Sequence, residues 1–355
     1  MSFSDRVQAI YGALKSSPAR LPSSVQIPAD RVDKPEKLGP ALETNQNYFQ
    51  VRVNELFLTN RREWFQTIDP MVFVSSEFTY DSAETAIPFV VGPSMIKGQQ
   101  TPAGMVFSNT RVAGIHPYRG GRLALTVILY SVVRTDHARR FLSLVESVAG
   151  ALDFSTAVAM YTKFAGALLD GVEALAGMNG TVPIIGHRRE IDPDAGDDMT
   201  PGYFALVDMP EQELRQKYRL VVRDNRLCYG DSIAGAREFR EADYVLLSIS
   251  SRPNRSDVGS LPFHPLWQRV LKEASVPKQD NWESAKANML SLYQSMVLSP
   301  DLTGGHARQL ARDYGTEMQA TFDEAVSQAK RSGKGKEVDD KLSDVREESL
   351  RILKL

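Results

Sequence analysis

Residues 123–133, Leu-Ala-Leu-Thr-Val-Ile-Leu-Tyr-Ser-Val-Val, decide the reading of the fold. At a period of two, Leu123, Leu125, Val127 and Leu129 share one face, and Ala124, Ile128 and Tyr130 share the other. A strand apolar on both sides belongs in the middle of a structure, with a layer over each face. The next segment offers one such layer. From Asp136 the spacing turns helical: Phe141, Leu144, Val145, Val148 and Leu152 form one stripe. Phe154, Val158, Tyr161, Ala165, Leu168, Val172 and Leu175 form a second, and Lys163, Asp170 and Glu173 fall on its wet side. Asp153, Ser155 or Thr156 can cap a new start, which gives two helices or one bent one.

Strand signals flank this helical insertion. Phe49–Asn54 alternates apolar and polar residues, and Met71–Phe78 and Ile87–Val91 are short runs rich in β-branched and aromatic residues. Val106-Phe107 and Val112–Ile115 read as another pair. Downstream, Val182–Ile185, Tyr203–Val207, Arg219–Val222 and Tyr244–Ile249 resume the pattern. Strands, a helical insertion and strands again predict an antiparallel or mixed sheet or sandwich in an α+β protein, not alternating βαβ units. Only in this pattern, residues 46–135 resemble β-sandwich binding modules; the paired aspartate loops that mark C2 domains are missing, and no residue role follows.

The ends read differently. Residues 1–44 form a short helix, with Val7, Ile10, Tyr11 and Leu14 on one face, and then an arm carrying Pro18, Pro22, Pro28, Pro35 and Pro40. Proline removes a backbone donor and fixes φ, so the arm is expected to be extended, without strand pairing. The α+β body spans 45–262: β-rich over 45–135, helical over 136–178 and β-rich again over 182–262. Residues 263–330 are expected to form a C-terminal helical hairpin. Its first helix carries Ala285, Met289, Leu292, Tyr293 and Met296; its second carries Ala307, Leu310, Tyr314, Met318 and Phe322. Residues 331–355 form a flexible basic linker, Arg331–Lys336, and a small amphipathic terminal helix.

Of 355 residues, 42% are hydrophobic and 24% charged, enough for a sizeable buried core, and the net charge of −2 gives no global pull toward nucleic acid or anionic membrane. A single cysteine, Cys228, excludes an intrachain disulfide and fits a cytoplasmic setting. No run is long and uncharged enough for a membrane span, and no secretory leader is evident.

The search for chemistry is mostly negative. Phosphate-loop, dinucleotide-binding and serine-hydrolase motifs are absent, and the five histidines are scattered. No catalytic residue, metal site or cofactor is assigned. The acidic loop Asp192, Asp194, Asp197, Asp198 departs from the EF-hand pattern and reads as solvated. Cys228 between Leu227 and Tyr229 reads as a packed thiol. One segment is more suggestive: Arg111, His116, Arg119 and Arg122 surround Gly120-Gly121, a pair able to form a tight turn whose amides converge on an anion. His187 and Arg188 join them if the strand from Val182 lies alongside. Otherwise the segment is a Gly-Gly hairpin flanked by arginines paired with acids.

Two functions follow as expectations. The first is a non-enzymatic interaction or regulatory protein that meets protein partners through its C-terminal helices or mobile ends. The alternative is an enzyme or sensor that binds an anionic small molecule, a nucleotide or phosphate, at the Arg111–Arg122 turn.

Overall fold

The computed structural model describes residues 2–15, 23–59, 68–91, 105–133, 135–153, 158–178, 181–197 and 200–331. The expected terminal helix and most of the basic linker lie outside these residues, as do Pro18, Pro22, Phe154 and Asp198. The chain divides into two compact units, Met1–Arg255 and Ser256–Leu355. Among the described residues, no helix is long and apolar enough to cross a membrane.

The first unit is α+β and built on two main sheets, whose strands all pair antiparallel. In the five-stranded sheet the order is β1 (Ser23–Ile27), β8 (Gly202–Val207), β12 (Tyr244–Arg252), β2 (Tyr48–Phe57) and β5 (Met105–Pro117). In the four-stranded sheet it is β4 (Ala83–Val91), β3 (Ile68–Tyr80), β6 (Leu123–Val133) and β7 (Val182–Ile191). The inner faces of the two sheets share one hydrophobic core. Phe49 of β2 meets Phe78 of β3 edge-on, with ring centroids 4.9 Å apart. The two strands read from Val106 and Val112 are one, β5.

The dry second face of β6 is covered as its sequence requires. Helices α1 (Phe3–Lys15) and α3 (Val158–Ala176) lie against the four-stranded sheet, and α2 (Asp136–Asp153) packs on α3. Val7, Ile10 and Leu14 of α1 are buried there. Arg6 holds α1 to α3 through Asp170 at 2.7 Å and Glu173 at 2.8 Å, and Ser4 donates to buried Glu77. The N-terminal helix is thus a layer of the body.

The arm also differs from its reading. Five residues free of proline, Ser23–Ile27, form an edge strand paired with β8. Proline bars pairing only at its own position, and Pro28 stands just beyond the strand's end. The chain then makes 3-10 turns at Ala29–Arg31 and Pro35–Leu38 and passes over β12. At Gly39, with φ of 84°, a Cβ would stand 2.1 Å from the Ser251 carbonyl oxygen, so only glycine permits this close crossing.

The outer face of the five-stranded sheet carries a second core. Tyr203, Ala205, Val207, Tyr244, Leu246 and Phe57 pack with a small sheet of β9 (Leu220–Arg223), β10 (Arg226–Tyr229) and β11 (Arg237–Glu238), and with α4 (Glu211–Lys217). Glu55 is fully buried there; it accepts from the Leu227 amide at 2.9 Å and from Arg240 at 3.0 Å.

In the second unit there are three helices among the described residues, one more than the expected hairpin: α5 (His264–Ala274), α6 (Gln279–Val297) and α7 (Gly304–Arg331). The chain buries Leu261 and Phe263 just before α5 begins at His264. Trp267 stacks on Tyr314 at 4.1 Å, and Trp282 stacks on Phe322 at 4.4 Å.

Candidate functional site

The Gly120-Gly121 turn forms as read, with φ of 91° and 73°, but it does not join a hairpin. β5 ends in the five-stranded sheet and β6 begins in the four-stranded sheet, so residues 118–122 carry the chain from one layer to the other. Side chains on the two flanks are therefore sent to different surfaces. Arg119 donates to Asn45 at 2.9 Å. Arg122 pairs with Glu84 and, at 3.5 Å, with Glu190.

The remaining residues read into this site lie elsewhere. His116 is fully buried on the inner face, stacked on Phe78 at 5.1 Å and edge-on to Phe49 and Tyr161. β7 does lie beside β6, but strand alternation separates its histidine from its arginine. His187, opposite Val127, faces the core between the sheets, whereas Arg188, opposite Thr126, faces the helix layer. There Arg188 pairs with Glu77 and, at 2.9 Å, with Glu190, and donates to Thr126 at 2.9 Å. Arg111 stands on the outer face of the five-stranded sheet, directly opposite Arg52. The eight residues therefore occupy several environments, and Arg122 and Arg188 are already engaged by carboxylates.

Burial, and then the positive charge of Arg189, hold the His187 imidazole below its ordinary pKa. The unfolded chain then binds more protons than the folded one as pH falls below about 6.5, so this group removes stability on acidification. Urea unfolding near pH 7.5 and near pH 5.5 should show that loss, and His187→Gln should reduce it. An equal loss in the variant would assign the pH dependence to other groups.

Other reactive side chains are also structural in their setting. Burial pushes the Cys228 thiol up, which disfavours the nucleophilic thiolate. In the acidic loop, Asp192 accepts from the Asp194 amide and Asp197 from the Asp192 amide, each at 3.0 Å, so both carboxylates cap their own turn. Among the described residues, no group of three or more His, Cys, Asp or Glu is placed to hold a metal ion.

The second unit carries a feature that the periodicity only half reveals. α6 buries Trp282, Ala285, Met289, Leu292 and Met296. Leu290, Tyr293 and Val297, three and then four positions apart, form a second stripe that is exposed, and Leu298 just beyond it is 80% exposed. Tyr293, expected on the buried face, belongs to this stripe. From Ala287 to Pro300 the sequence contains no charged residue. That uncharged run, apolar on more than one side, is the signal in the sequence that marks the surface.

No known protein family, curated protein or solved structure matches the chain.

Proposed function

We propose that the chain is a non-enzymatic interaction protein that associates through the exposed α6 stripe, with a second copy of itself as the occupant. The observation that carries this reading is the apolar surface of Leu290, Tyr293, Val297 and Leu298 within a run free of charge. Large apolar side chains clustered on a surface mark an interaction site, whereas single ones do not. In a two-fold contact each residue meets the same patch on its partner, so any charge would meet its like. A stripe without charge avoids that repulsion. The flanking Ser291, Gln294 and Ser295 can donate and accept alike. The dispersed placement of histidines, cysteine and carboxylates in the first unit supports binding over bond-making.

Four side chains are few for an interface that ordinarily buries about 800 Å² per partner, so the association is weak, with a dissociation constant on the order of tens of micromolar. Sedimentation velocity should give a mass that climbs from the 39.4 kDa monomer as concentration rises through that range. Leu290→Glu with Leu298→Glu, both at exposed positions, should hold the protein monomeric and leave its thermal unfolding unchanged. A wild-type protein monomeric at all concentrations, or a variant that associates equally well, would overturn the reading.

A further inference from the structure

β1 is the last strand on its side of the five-stranded sheet, and Pro28 just beyond it opens a 3-10 turn that ends at Arg31. Beside β1 stand α4 and β9, and a cleft of about 280 Å³ lies among the three. Its wall is mostly apolar: Val25 and Ile27 from β1, Leu214 from α4, Tyr218, and Leu220 from β9. Ile27, Leu214 and Leu220 are anchored in the second core. The Tyr218 ring is braced edge-on by Tyr229 at 5.2 Å and by Phe239 at 5.1 Å. These side chains are already ordered, so a ligand entering the cleft need not fix them.

Three arginines also line the cleft: Arg31, Arg215 and Arg219. Arg215 pairs with Glu211 at 2.7 Å and Arg219 with Asp231 at 3.2 Å, so those two charges are matched. Arg31 differs from both. It is half-buried, and its Nη1 donates to the Leu220 carbonyl oxygen at 3.3 Å. Among the described residues, no carboxylate stands within ion-pair distance of it. The carbonyl fixes the guanidinium without neutralising it and occupies a single N–H, leaving the rest of the fork for another acceptor. A neighbouring hollow of about 290 Å³ shares Ile27 and Pro28, but none of the described residues lining it is charged. That hollow can house an apolar body and has nothing to hold an acid.

We propose that the cleft beside β1 binds a small carboxylic acid, with its apolar body on Val25, Leu214 and Leu220 and its carboxylate on Arg31. The volume lies at the lower end of ligand pockets, about 300–1,000 Å³, which limits the occupant to a short aliphatic or single-ring acid. A planar carboxylate meets a guanidinium fork with two parallel hydrogen bonds. The one unmatched positive charge suits a monoanion. A dianion such as phosphate would bring a second charge into apolar surroundings with no partner for it. The cleft belongs to the first unit and the α6 stripe to the second, so binding here does not require self-association.

Isothermal titration with acetate, butanoate, hexanoate and octanoate, at fixed pH and ionic strength, tests both parts of the contact. Octanoate should bind in the millimolar range, and each added methylene should tighten binding about three- to fourfold. Hexanol lacks the acid and inorganic phosphate lacks the body, and each should bind well below hexanoate. Arg31→Gln should weaken octanoate binding about tenfold or more. Amide resonances of Val25, Ile27 and Leu220 should shift on titration of the native protein and far less in that variant. Arg31→Lys keeps the charge but loses the planar fork; it should weaken binding severalfold, and it serves if the glutamine variant does not fold. No binding of octanoate, affinity that ignores chain length, hexanol or phosphate binding as tightly as hexanoate, or Arg31 variants that bind octanoate unchanged would each overturn the proposal.

Discussion

Arg188→Met is expected to destabilise the first unit by about 3–5 kcal/mol, a large share of the 5–15 kcal/mol that holds a typical domain together. The cause is Glu77, whose side chain is fully shielded from water between the four-stranded sheet and α1. Its carboxylate accepts there from Arg188, itself only 8% exposed, and from the Ser4 hydroxyl. Methionine fills much of the arginine's volume but leaves the carboxylate with a single hydroxyl in a dry setting. Glu77→Met combined with Arg188→Met should recover most of the loss, because replacing a whole buried pair by apolar groups is often neutral. Urea unfolding of the two variants measures this. A single variant that loses less than about 1 kcal/mol would mean that water reaches Glu77.

Trp282→Ala carries the largest expected effect in the second unit, again about 3–5 kcal/mol. Trp282 is 1% exposed and stacks on Phe322, joining the start of α6 to the middle of α7. Alanine leaves a cavity that two rigid helices cannot readily close. Trp282→Phe should cost far less, since the indole N–H has no acceptor among the described residues and its removal leaves nothing unsatisfied. Hydrogen exchange resolved by segment should place the alanine effect in amides of 264–331. Equal losses for alanine and phenylalanine would show that the indole nitrogen makes a bond that matters.

The elements of this fold were largely legible, and their partners were not. β6 revealed its central position because alternate residues on both sides are apolar, and the helical runs after Asp136 and after Asp280 follow from spacing alone. β1 was hidden by the prolines around it, whose bar on pairing is local to each ring. The sheet-to-sheet corner at Gly120-Gly121 was hidden because a tight glycine turn has the same sequence whether its strands pair or part. The expected basic cluster dispersed for a related reason. Neighbours in sequence, Arg119 and Arg122, suggested a cluster, while the residue that meets Arg111 is Arg52, placed there by strand register. An arginine within the alternation Phe49–Asn54 looks like any solvent-facing residue until its opposite number is known. The α6 stripe was partly visible, since a helix with more apolar residues than one buried face can hold must show some of them to solvent.

The five-stranded sheet joins strands from distant parts of the chain, with β12 inserted between β2 and β8. Its consequence falls on synthesis. A nascent chain cannot complete this layer until residue 252 has left the ribosome, and until then β2 and β8 each present an open edge able to pair with a neighbouring polypeptide. Chains that end before β12 keep both edges open, and open edges favour pairing with other chains over a stable shorter form.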